Sequence, residues 1–272
     1  MFITQDTMER LHDVQFDMLN ELIRVMDILH IEYYFVHGSL LGAVRDNDFI
    51  AEDDDIDIGI MREDYNRLLL YGQAIIDTKY FIQSASTDGY PLPFAKLRKN
   101  DTAFIQPVLK NVDCHKGIYI DIFPIDYESD SKFFRIKKLL LDYRIRIIFP
   151  NNRLSFKGKI LQTLPKIIYF NYSSALLKRE VLFSSAKKSK YVAIYGGKSS
   201  ERHMPMEWFE QYCLCDIRGI KVKCPMGYRE YLKRIYGDEY MLHNPAEERI
   251  FEKEIEVSAD ILDFERSYLD YC

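Results

Sequence analysis

The chain has 272 residues, a formal net charge of −5 and 47% hydrophobic residues, which is enough for a large core and excludes a disordered chain. No run of about 18 apolar residues occurs, so no membrane-spanning helix is expected. The start MFITQDTMER lacks a basic stretch followed by an apolar one, which argues against a secretory signal. Five cysteines (Cys114, Cys213, Cys215, Cys224 and Cys272) without repeated spacing fit reduced thiols, and the expected location is cytoplasmic.

The charge is unevenly spread. Residues 132–190 carry 15 Lys+Arg and 2 Asp+Glu; taken from the totals of 37 and 42, this leaves 22 basic against 40 acidic residues elsewhere. An acidic body with a basic middle points to a polyanionic partner or an anionic membrane surface. No nucleic-acid-binding motif accompanies the basic region, so no nucleic acid is expected.

Asp6 with Glu9 three residues on predicts a helix start. Leu11, Val14, Met18, Leu22, Val25 and Leu29 then recur every three or four residues as one apolar stripe. Tyr33 to His37 reads as a short strand, Gly38-Ser39 as a tight turn, and Leu40 to Arg45 as a short helix. In Glu52-Asp53-Asp54-Asp55-Ile56-Asp57-Ile58-Gly59-Ile60 the isoleucines alternate with Asp55 and Asp57. A strand there buries one face and gathers carboxylates on the other.

A helix from Arg62 to Gln73 follows, with Tyr65, Leu68 and Leu69 inward. Short strands at Tyr80 to Gln83, Phe94 to Leu97 and Thr102 to Gln106 are separated by Gly and Pro turns. Gly117 to Pro124 is another alternating strand, with Ile118, Ile120 and Ile122 on one face and Tyr119 and Asp121 on the other. Residues 130–190 read as helical pieces divided at Pro150 and Pro165. A helix over Tyr228 to Tyr236, stopped by Gly237, and a last amphipathic helix from about Ala246 to Tyr268 complete the chain. The expected fold is α+β (mixed α/β): a mixed sheet flanked by helices over 1–129, a basic helical insertion over 130–190, and a segment over 191–272 that packs back on the core.

The chemistry follows from a few positions. Gly38-Ser39 comes after a strand and opens a helix, so free amides and the helix dipole can face an anion. Asp55 and Asp57 repel each other unless a cation joins them, and carboxylates with waters and substrate phosphates are the usual way to hold Mg²⁺, or Mn²⁺ in its place. Asp121, a lone acid in an apolar strand, supplies a third carboxylate. Together they read as phosphoryl transfer: Asp55 and Asp57 anchor a metal on the donor, and Asp121 completes its shell or takes the acceptor's proton. Glu52, Asp53 and Asp54 read as an approach loop. The spacing of Asp53, Asp55 and Asp57 also fits a calcium loop, but Ile58 stands where that loop needs glycine and Asp64 where it needs glutamate. Cys213, Cys215 and Cys224, with His203, lack zinc-site spacing and are expected to be buried free thiols.

His37-Gly-Ser-Leu-Leu-Gly-Ala-Val-Arg45 with Phe49-Ile-Ala-Glu-Asp-Asp-Asp-Ile-Asp-Ile-Gly59 resembles the signature of the LicD family of phosphotransferases, within the nucleotidyltransferase superfamily. Gly117 to Asp126 is similar to that family's second motif. Phe94 to Arg98 with Thr102, and Gly227 to Gly237 followed by Asn244-Pro245, are similar to weaker ones. Asp46 and Glu52 stand where the family often has His and Trp. The resemblance implies a nucleotidyltransferase-type sheet and transfer of phosphocholine or a related phospho-group from a CDP-linked donor, such as CDP-choline. The implied acceptor is a glycan or lipid-linked glycan, such as a lipopolysaccharide, capsule or teichoic-acid precursor, at the cytoplasmic side of a bacterial membrane.

In the expected in-line displacement a nucleoside monophosphate leaves. Arg45 and Lys96 are the candidates for neutralising phosphate oxygens, and Gly38-Ser39 for gripping the diphosphate. Lys96 is preferred to Arg98 on the resemblance alone, the two being expected on opposite faces of their strand. Rival readings are a nucleotide-sugar glycosyltransferase with an Asp-x-Asp site and an inactive nucleotide-binding scaffold. The basic region, which the resemblance does not cover, is a candidate contact for the inner face of the membrane.

Overall fold

The computed structural model describes residues 1–129, 131–146, 172–184, 186–194, 203–242 and 255–271. A short strand, β1 (Phe2–Ile3), precedes α1 (Gln5–Ile28), whose apolar stripe lies in the core through Met8, Leu11, Met18, Leu22 and Val25. The helix starts earlier than expected. Thr4 and not Asp6 is the cap: its Oγ1 accepts from the Thr7 amide at 3.2 Å, while Asp6 lies in the first turn, where its charge complements the dipole.

β2 (Tyr33–Phe35) runs directly into α2 (His37–Arg45), so Gly38-Ser39 lie inside the first helical turn and form no separate turn. The chain changes direction at His37, which takes a left-handed φ of 49°. β3 (Asp57–Met61), α3 (Arg62–Tyr71), β4 (Tyr80–Gln83), β5 (Ala95–Lys99), β6 (Ala103–Ile105) and β7 (Tyr119–Tyr127) follow close to their expected places.

The central sheet has the order β2-β3-β7-β5-β4, with β3 and β7 parallel and the other neighbours antiparallel. β7 is its axis. The first part of β7 lies between β3 and β5, and its far end pairs with β8 (Tyr191–Ile194), which in turn holds β9 (Met204–Pro205). Ile56, Ile58, Ile60, Ile118, Ile120 and Ile122 are buried, as the alternation requires. Helices α1 and α3 pack on this sheet, which makes the fold mixed and layered.

Two helices of the basic region are described, α4 (Lys132–Arg146) and α5 (Tyr172–Ser184); Pro150 and Pro165 lie outside the described residues. The two helices meet through Phe134, Leu141, Leu182 and Phe183, a cluster separate from the main core. Beyond them comes a hairpin that the sequence reading lacked: β10 (Tyr212–Ile217) and β11 (Ile220–Pro225), joined at Arg218-Gly219 with φ of 47° and 85°. Positive φ at both residues is what a two-residue hairpin turn needs. α6 (Tyr228–Tyr236) then ends at Gly237 as expected.

The last amphipathic helix is corrected where the chain is described. β12 (Ile255–Glu256) pairs with β1 and β13 (Ile261–Asp263) with β6, while 246–254 lie outside the described residues. Ile255, Val257 and Ala259 are buried at alternate positions, a period of two that belongs to extended backbone. Among the described residues no helix is long and apolar enough to cross a membrane.

Candidate active site

Register in the central sheet builds the site. Asp57 of β3 lies opposite Asp121 of β7, and Asp121 lies opposite Lys96 of β5, so three strands present one row of charged side chains. Asp55 sits just before β3 begins, two residues from Asp57. One carboxylate oxygen from each of Asp55, Asp57 and Asp121 falls within 4.8 Å of the others. A second such group, Asp53, Asp54 and Asp55, adjoins the first and shares Asp55.

Burial sharpens the repulsion. Desolvation, with Asp57 and Asp53 nearby, holds the Asp55 carboxyl well above the usual carboxylate range. Desolvation pushes Asp121 up to about 6 against the opposing pull of Lys96. Burial also lowers the Lys96 ammonium, which is ion-paired with Asp121 and lies 3.4 Å from the centre of the Tyr119 ring. Three carboxylates face one lysine, and all the donors are hard oxygens. A divalent cation of the Mg²⁺ or Mn²⁺ type fits both the donor set and the excess negative charge.

Backbone and neighbouring side chains fix the carboxylates in place. Ser39 Oγ accepts from the Asp57 amide at 2.8 Å, and the Asp121 amide donates to the Ile56 carbonyl at 2.8 Å. Ser39 is thus a positioning group for Asp57. A side chain at Gly38 would meet Asp53 Oδ2 at 2.0 Å, so the Asp53 carboxylate already lies against the first turn of α2. Asp53 is pushed up to about 7 by desolvation and by Asp57. Residue 53 therefore belongs to the site's wall as well as to its approach loop.

Arg45 is engaged by the residue that follows it. It ends α2, about 12 Å along the helix axis from His37, and its guanidinium grips Asp46 through Nε and Nη2, each 2.9 Å from a carboxylate oxygen. The expectation that Lys96 and Arg98 face opposite ways is also corrected. Residues two apart on a strand share a face, and Arg98 lies 4.9 Å from the same Tyr119 ring as Lys96. Arg98 is buried, donating to Gln83 Oε1 and the Gly117 carbonyl at 2.8 Å each.

Several supporting residues escaped the sequence reading. His37 Nδ1 is 3.4 Å from Asp57 Oδ2, its ring packs edge-on to Phe123 at 4.9 Å, and its amide donates to the Tyr231 hydroxyl of α6 at 3.3 Å. His12 and Gln15, polar residues on the buried side of α1, hold the acidic loop by its backbone: His12 Nε2 is 2.7 Å from the Asp53 carbonyl, and Gln15 Nε2 donates to that of Asp54 at 2.8 Å. Their signal was present as two polar interruptions of an apolar stripe. Arg218, at the turn of the unforeseen hairpin, binds Asp48 and Asp13 at 2.7 Å each and so pins the loop from the outside.

The thiols stand apart from this centre. Cys213 lies opposite Cys224 across the hairpin, both free, and His203 is engaged elsewhere by Glu128 and the Tyr191 ring.

A mixed sheet with a helix N-terminus and a row of carboxylates and lysine suits the binding of a cation together with a phosphate-containing group. Residues 30–163 match the nucleotidyltransferase domain of LicD, FKTN and FKRP proteins. The chain is 24% identical over 251 residues to the lipopolysaccharide cholinephosphotransferase LicD of Haemophilus influenzae, spanning 84% of this chain and 91% of that protein. It is 30% identical over 170 residues to the uncharacterized protein RP689 of Rickettsia prowazekii, or 60% and 59% of the two chains. The family match thus covers residues 30–163, and the similarity to a LicD protein runs along most of the chain.

Proposed function

We propose that this protein transfers phosphocholine, or a closely related phospho-group, from a CDP-linked donor such as CDP-choline to a cell-surface glycan precursor of the lipopolysaccharide kind. The observation that carries the reading is the cross-strand row Asp57, Asp121 and Lys96, with Asp55 beside it. Similarity along 84% of the chain to a protein that transfers cholinephosphate supports the choice of group.

Asp55, Asp57 and Asp121 would hold a Mg²⁺ or Mn²⁺ ion, which when bound supplies positive charge to the donor's phosphate oxygens. Lys96 adds a second positive charge from the opposite end of the row. An acceptor hydroxyl forms the new O–P bond at the phosphorus distal to the nucleoside, the bridging O–P bond breaks, and CMP leaves. Asp121, ion-paired with Lys96, would be one of the carboxylates holding that cation, which leaves the acceptor's proton to water or a neighbouring carboxylate. The first turn of α2 at Gly38-Ser39 would grip the donor's diphosphate, with Arg45 as a further candidate for neutralising its phosphate oxygens. The acceptor is lipid-linked, and the enzyme works as a peripheral protein at the inner face of the membrane.

The test is thermal unfolding of the full chain with CMP and CDP-choline, with and without Mg²⁺, followed by analysis of the nucleotide released on turnover. A metal-dependent stabilisation and CMP as product are expected. Release of a nucleoside diphosphate selects the glycosyltransferase reading, and no metal-dependent shift with any nucleotide selects the scaffold.

A further inference from the structure

Helix α4 has two apolar sides. Phe134 and Leu141 point inward, packing with Leu182 and Phe183 of α5. Phe133, Ile136 and Leu139 recur at spacings of three on a different side, and Leu177 and Val181 of α5 are spaced by four. These five side chains are 48–76% exposed. On an ordinary surface helix the second side is polar, because exposing an apolar row gains nothing.

Basic residues accompany this row in the sequence. Lys132, Arg135, Lys187 and Lys188 are exposed and Lys137 is half-buried, in a region with 15 basic and 2 acidic residues over 132–190. The two helices are also firmly mounted. Arg62 of α3 pairs with Asp126 at the far end of β7 through Nε at 2.6 Å, Arg179 of α5 approaches the same carboxylate at 3.9 Å, and Lys138 of α4 pairs with Glu128. A mounted pair of helices with an outward apolar row inside a basic field matches the chemistry of an anionic bilayer surface: acyl chains take the apolar groups and lipid phosphates the cations.

We infer that the outer side of α4 and α5 is a membrane-docking surface for anionic lipid, with Phe133, Ile136 and Leu139 as the inserting residues and Lys132, Arg135 and Lys137 as the headgroup contacts. The surface is mounted at Asp126, five residues along β7 from Asp121, or roughly 16 Å at strand spacing. The inference deepens the membrane-associated part of the proposed function, but the surface is argued without reference to the reaction.

Co-sedimentation of the full chain with vesicles tests it, using pure phosphatidylcholine and phosphatidylcholine with about one-quarter phosphatidylglycerol. These vesicles contain neither nucleotide nor glycan, so failure of the transfer reading leaves the result untouched. Binding at least about tenfold stronger to the anionic vesicles is expected, and weaker at high salt. The variant Phe133→Ser/Ile136→Ser and the variant Lys132→Glu/Arg135→Glu should each lose about tenfold, with thermal unfolding unchanged because these residues are exposed. An Asp57→Asn chain should bind as the parent does. Equal binding to both vesicle types, or full binding by both surface variants, overturns the inference. So does a dimer that Phe133→Ser/Ile136→Ser dissociates without loss of vesicle binding, which assigns the row to a second copy of the chain.

Discussion

Asp121 and Asp126 sit on one strand, both buried and five residues apart, yet their surroundings are opposite. Asp126 meets two arginines, Arg62 and Arg179. Asp121 meets one lysine and shares its space with Asp55 and Asp57. Charge is matched at one end of β7 and left in negative excess at the other. A buried acid that the protein itself neutralises is a structural tie. An acid cluster left unbalanced is a place for a cation to enter.

Four experiments test this contrast in charge balance. Asp57→Asn removes one like charge from the unbalanced end, and turnover should fall about 10³-fold with thermal stability kept or raised. An active, well-folded Asp57→Asn enzyme would remove the basis for the active-site assignment. Asp126→Ala strands two arginines at the balanced end and should cost about 3–5 kcal/mol in a denaturant melt. A loss below about 1 kcal/mol would mean that the tie between the sheet and α5 is weak.

The third experiment is a pH series in metal-free buffer. Asp121 titrates at about 6 when folded, against an ordinary value of 3.8, so between those values the folded state binds more protons than the unfolded one. Stability contributed by this group is therefore complete below about pH 4 and is lost as pH rises through 6, by on the order of 3 kcal/mol. The parent minus Asp121→Asn should show that slope, and adding Mg²⁺ near neutral pH should recover the loss. Parallel curves for the two proteins would refute the imbalance.

The smallest effect is expected at Gly38→Ala. The new methyl needs the space of Asp53 Oδ2, so that carboxylate must leave the first turn of α2. A roughly tenfold loss in rate with about 1 kcal/mol of stability is expected from displacing a group packed against the site. An unchanged rate would confine the unbalanced end of the sheet to Asp55, Asp57 and Asp121.

Local pattern disclosed much of this molecule. The stripe of α1, the alternating isoleucines around Asp57 and around Asp121, and the bounds of α6 were readable because each depends on periodicity within one segment. The hairpin β10–β11 was missed because Arg218, a bulky residue with positive φ, occupies a turn position where asparagine or glycine gives the usual signal. The final strands were missed because β12 and β13 owe their extended form to partners more than 150 residues away in sequence. The pairing of Arg45 with the adjacent Asp46 could not be read from the motif, because it depends on the rotamers both side chains take at the end of α2.

By itself the sequence determined which residues could carry the chemistry, since side-chain type and a two-residue period are properties of single strands. It placed Asp57 and Asp121 each on a polar face, while Lys96 was singled out by the family resemblance alone. Only the tertiary structure decided that β3, β7 and β5 are neighbours in the register that joins these three into one row. The same holds for Asp126, whose partners Arg62 and Arg179 come from two helices distant in sequence. Charge balance is a sum over neighbours, and neighbours across a sheet are chosen by folding and not by adjacency along the chain.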